Sequence, residues 1–68
     1  MKKRDLLKRL GALAQEAGVE FTLVRHGGSH DLYALGGRSI TIPRHMELNE
    51  LLARGILREA ERYLAGEW

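Results

Sequence analysis

The chain has 68 residues, no cysteine, and 11 Lys and Arg against 9 Asp and Glu, for a formal charge of +2. A chain of this size makes one domain, residues 1–68, with a thin core, because it buries only about 60% of the surface its unfolded form exposes. The composition excludes disulfides and thiolate metal sites, and no apolar run approaches the roughly 20 residues that span a bilayer.

The start, Met1-Lys2-Lys3-Arg4, is basic like the head of a signal peptide. Asp5, Lys8 and Arg9 then interrupt any apolar segment, so the expectation is a soluble cytoplasmic protein with no membrane partner. Lys2, Lys3, Arg4, Lys8 and Arg9 crowd the first nine residues. Such a cluster attracts nucleic acid or an acidic protein through long-range electrostatics. It also reads as a solvated helix face.

Leu6, Leu7, Leu10, Leu13, Ala14 and Ala17 follow the spacing of an amphipathic helix, which predicts a first helix over residues 3–17. Gly18 stops it as a C′ residue. Residues 20–25 are rich in β-formers and predict a strand, followed by a turn at Gly27-Gly28. Residues 30–35 predict a second strand, Gly36-Gly37 a two-residue hairpin, and residues 38–42 a third strand. Pro43 ends it, since proline cannot donate to a ladder. Asn49 is a good N-cap for a second helix that Gly66 closes, with Leu52, Ile56, Ala60 and Leu64 as its apolar stripe and Leu51 and Leu57 widening it.

The order helix, three strands, helix defines an α+β fold: a three-stranded antiparallel meander with both helices on one face. Strand parity assigns the faces. With Ile40 and Ile42 inward, Tyr33 and Leu35 follow them, and Asp31 shares their parity. His30, Leu32 and Ala34 fall on the uncovered face.

His30 is therefore expected at the first position of a strand, after the turn Gly27-Gly28-Ser29, and open to solvent. Imidazole titrates near neutral pH and can take or give a proton in cellular conditions, which RNA cleavage without a metal requires. The competing reading is a histidine that merely caps the turn. His26 is read chiefly as an exposed loop histidine, with a second acid as the alternative. His45, after Pro43-Arg44, suits either a phosphate contact or the fixing of its loop. No i, i+4 pair of histidines and no cysteine supports a metal site, so no metal or cofactor is expected. Lys2, Lys3, Arg4, Arg38 and Arg44 are candidates for phosphate contacts, which add sequence-independent, salt-sensitive affinity. Arg54, Arg58 and Arg62 form a helical stripe read as a solvated face that Glu50 and Glu61 partly pair, or else as a protein-docking surface. Ser29 and His30 are expected to diverge, as neighbours on a strand do. Trp68 either packs back on the second helix or frays.

Taken together, the basic first helix, Gly27-Gly28-Ser29-His30, Gly37-Arg38, Pro43-Arg44-His45 and the Leu52 to Leu57 helix resemble the HicA-type toxins over nearly the whole chain. These are the ribonuclease halves of toxin–antitoxin pairs. The resemblance implies a double-stranded-RNA-binding-domain-like fold, cleavage of messenger RNA without a metal, His30 as the catalytic residue and a HicB-like antitoxin as partner. In that role His30 acts as general base on a ribose 2′-hydroxyl. Many members carry an extra residue before the histidine and a basic one after it, where this chain has Asp31. Two rivals share the fold. One is a non-catalytic binder of structured RNA, which Glu47 and Glu50 at the head of the second helix disfavour. The other is a protein-interaction module whose basic residues serve solubility.

Overall fold

The computed structural model describes residues 1–66. Helix α1 spans Lys3–Ala17, strands β1, β2 and β3 span Phe21–His26, His30–Leu35 and Arg38–Pro43, and helix α2 spans Glu50–Leu64. The strands form one antiparallel sheet in the order β1-β2-β3. This is the α-β-β-β-α order expected from the sequence. Trp68, whose packing the sequence leaves open, lies outside the described residues.

Local chemistry sets the ends of the elements. Gly18 adopts φ 73° after α1, and its N–H returns to the last turn of the helix, the left-handed C-terminal arrangement that glycine permits. The Asn49 side chain accepts the Leu51 and Leu52 N–H groups at 2.8 and 3.3 Å, satisfying two donors that α2 cannot satisfy itself. Between β2 and β3, Gly36 takes φ 60° at the first central position of a two-residue turn, as a type II′ hairpin demands.

One face of the sheet meets both helices. Leu35 and Ile42 of the sheet, Leu6, Leu10 and Ala14 of α1, and Ala53, Ile56 and Ala60 of α2 form a single buried cluster with Leu48. Tyr33 and Ile40 lie at its margin, and the Tyr33 ring stacks on Phe21 at a centroid distance of 5.1 Å, a diagonal cross-strand pair.

The α2 stripe is buried at Ile56 and Ala60 as expected and differs from the sequence expectation only at its N-terminal end. Ala53 replaces Leu52 as the buried position, while Leu51 and Leu52 are exposed. Apolarity favoured leucine, but close approach of two helices favours a small side chain, and Ala53 and Ala60 are buried in the same cluster as Leu6 and Leu10. Glu47 lies ahead of α2, where it pairs with Lys2 in an isolated bridge. With the Lys3 N–H to Met46 and Leu48 N–H to Met1 hydrogen bonds, both 2.8 Å, that bridge fastens the loop after β3 to the start of α1.

Candidate functional site

The turn between β1 and β2 collects the chain's chemistry. The Gly27 N–H donates to the His30 carbonyl at 2.7 Å, and a Cβ on Gly27 would run into that same oxygen. Glycine is therefore required there by space. Arg44, arriving from the end of β3, braces the turn from the other side. Its backbone N–H donates to the Ser29 carbonyl at 3.1 Å, and its guanidinium donates to the Gly27 carbonyl at 3.2 Å.

From this braced turn β2 starts with His30 on the uncovered face, exposed, opposite Pro43. Ser29 does not diverge from it as strand alternation predicted. Its Oγ lies 3.1 Å from His30 Nδ1. Ser29 belongs to the turn rather than the strand, so the pleat does not dictate its direction. A hydroxyl at Nδ1 orients the ring and leaves Nε2 facing outward.

Asp31 points the other way, into the protein, and is 3% exposed. A buried carboxylate must be paired, and here three side chains answer it. Lys3 Nζ of α1 lies 2.8 Å from Oδ2, His26 Nδ1 of β1 lies 2.8 Å from Oδ1, and Arg44 Nε lies 3.5 Å from Oδ1. Hydrogen bonds from Lys3, then His26, hold the Asp31 carboxyl below its ordinary range, outweighing the burial that pushes it up.

A β-bulge sets which residues of β1 flank this site. Leu23 pairs with Tyr33, but Arg25 pairs with Leu32 and His26 with Asp31, so Val24 is the extra residue. A continuous ladder would have placed Arg25 opposite Asp31 and His26 opposite His30. The bulge instead moves Arg25 onto the uncovered face. There it joins Ser29, His30, Leu32 and Thr41 around a shallow depression of about 340 Å³. Sequence reasoning missed Arg25, because simple alternation from Phe21 and Leu23 assigns it to the helix side.

The other basic candidates divide. Lys2 and Arg4 are exposed on either side of Lys3, at the edge that Lys3 ties to Asp31. Lys3 itself, with a side chain 17% exposed, commits its charge to Asp31. Arg44 is half exposed and serves the turn, with His45 exposed beside it. Arg38 pairs with Leu35 at the opposite end of the ladder from His30, about 16 Å along β2 at roughly 3.3 Å per residue, and meets Glu59 at 2.6 Å. It is not brought to the site. Glu50, expected beside Arg54, lies 3.4 Å from the Met1 ammonium.

Among the described residues, no three His, Asp or Glu side chains converge to hold a metal ion, and no helix is long and apolar enough to cross a membrane. Comparison with protein-family models, curated proteins and solved structures returns no match to this chain.

Proposed function

We propose that this protein is a metal-independent endoribonuclease of the HicA toxin type, cutting messenger RNA in the cytoplasm and restrained by a HicB-like antitoxin. The observation that carries the reading is His30: an exposed imidazole at a rigid strand start, contacted at Nδ1 by Ser29 and flanked on its own face by Arg25. With Nδ1–H donating to the Ser29 hydroxyl oxygen, Nε2 keeps its lone pair for a substrate proton.

The chemistry balances with no further reagent. Nε2 takes the proton of a ribose 2′-hydroxyl as the 2′-oxygen attacks the adjacent phosphorus. The bond from phosphorus to the 5′-oxygen breaks, and the imidazolium returns its proton to that oxygen. The products are a 2′,3′-cyclic phosphate and a 5′-hydroxyl. Arg25 supplies positive charge where the phosphorane accumulates negative charge. Lys2, Arg4 and Arg44 extend a cationic edge along which the strand lies.

The same face could hold RNA without cutting it. Cleavage separates the two readings: replacing the 2′-hydroxyls by hydrogen should abolish scission and leave binding nearly unchanged. Binding with no scission of ordinary RNA would reject the nuclease. A protein partner is supported by a different surface, where Met46, Leu51 and Leu52 are exposed around the start of α2. Large apolar side chains left exposed are ones a tight partner could cover.

A further inference from the structure

A bulge costs a strand one pairing position, and here it leaves the apolar Val24 54% exposed. In register terms, its effect is to seat His26 rather than Arg25 opposite Asp31. Charge balance alone does not account for this, because a guanidinium would neutralise Asp31 at least as well and Lys3 already lies 2.8 Å away. What the bulge gains is an imidazole held by its Nδ1 edge. The carboxylate that holds it is 4% exposed, while the ring is 61% exposed. The orienting group is inside and the oriented group is outside, as in carboxylate–imidazole couples that present Nε2 to a substrate.

From this geometry we propose that His26 is a phosphate-contacting residue of the RNA site: its imidazolium, oriented by Asp31, donates Nε2–H to a substrate phosphate next to the turn. The inference deepens the nuclease reading and rests on it for the identity of the ligand. Strand parity directs His26 and His30 to opposite sides of the sheet at the same end. One RNA strand crossing that end would meet them at different phosphates, so His26 holds substrate while His30 moves the proton. Neutral His26, with Nδ1–H on Asp31, offers only a lone pair at Nε2 and cannot donate to phosphate. The contact therefore exists only in the charged form. The other charged or titratable groups around the couple are Lys3 from α1, Arg44 after β3 and His30 across the turn.

The test is binding of a fluorescent, fully 2′-deoxy oligonucleotide, which cannot be cut, at low salt between pH 5.5 and 8. Wild type and His26→Gln are compared, each checked for a cooperative melt. Wild type should bind more tightly at the acid end, and His26→Gln should lose about tenfold of that gain, the effect of one charged hydrogen bond. A His26→Gln protein that keeps the wild-type pH dependence, or a wild type that fails to bind at pH 5.5, would overturn the proposal. Failure of the nuclease reading shows separately: wild type would leave ordinary RNA intact while the His26-dependent binding persisted, a result that still supports the contact.

Discussion

Arg25 and Asp31 stand on opposite sides of one sheet edge, and each makes a separate prediction. Arg25 shares the uncovered face with His30. Arg25→Gln should weaken RNA binding by about tenfold at low salt and lower the slope of log affinity against log salt by about 0.7, the share of one phosphate contact on a single strand. An unchanged salt slope would remove Arg25 from the site. Asp31 is a matter of stability. Its folded-state carboxyl lies below the ordinary value of about 3.9, so it favours the fold above that pH and ceases to as pH falls through the lower folded value. Asp31→Asn should therefore melt well below wild type at pH 7, with the gap narrowing steadily below about pH 4. Parallel melting curves from pH 7 to pH 2 would contradict the pairing with Lys3 and His26. Strand parity alone made the directions of His30 and Asp31 legible, because alternation is a property of the pleat itself. The partners of Asp31 were not legible, since Lys3 lies 28 positions away in sequence and nothing local marks the encounter.

At the scale of elements, β1 carries the decisive irregularity. Deleting Val24 should close the bulge into a continuous ladder that still sets Arg25 opposite Leu32 and His26 opposite Asp31. The protein should stay folded, with a cooperative melt, and keep its RNA affinity within about threefold, because Arg25 stays on the uncovered face and no phosphate contact is lost. A loss of about tenfold or more in the deletion variant would show that the register beyond the bulge is not what places Arg25 at the site. The sequence could not reveal this bulge: Val24 is as good a β-former as its neighbours, and nothing in the apolar pattern says which residue will go unpaired. In α2 the reason for the miss is different. The periodicity was correct and the N-cap at Asn49 was readable, but the buried stripe falls on Ala53 rather than Leu52. Counting apolar residues overlooks the fact that two helices approach most closely over their smallest side chains.

At the scale of the whole molecule, the fold was readable because every local signal agreed with it. Gly18, Gly36 and Asn49 end or begin the elements they were expected to, and the helical and strand periods switch at those points. The resulting asymmetry suits the proposed nuclease: one face of the sheet is consumed by the core, and the other is left to present His30, Arg25 and Thr41. The proposed antitoxin would find Met46, Leu51 and Leu52 exposed around the start of α2.

The proposed nuclease stands or falls on whether the ring of His30 shuttles a proton. The direct measurement is mass analysis of mixed-sequence RNA incubated with purified protein in excess EDTA, beside His30→Ala. Wild type should yield fragments ending in 2′,3′-cyclic phosphate, and the variant, still folded, should be slower by at least ~10²-fold. Intact RNA with wild type, or equal fragmentation by the variant, would contradict the assignment.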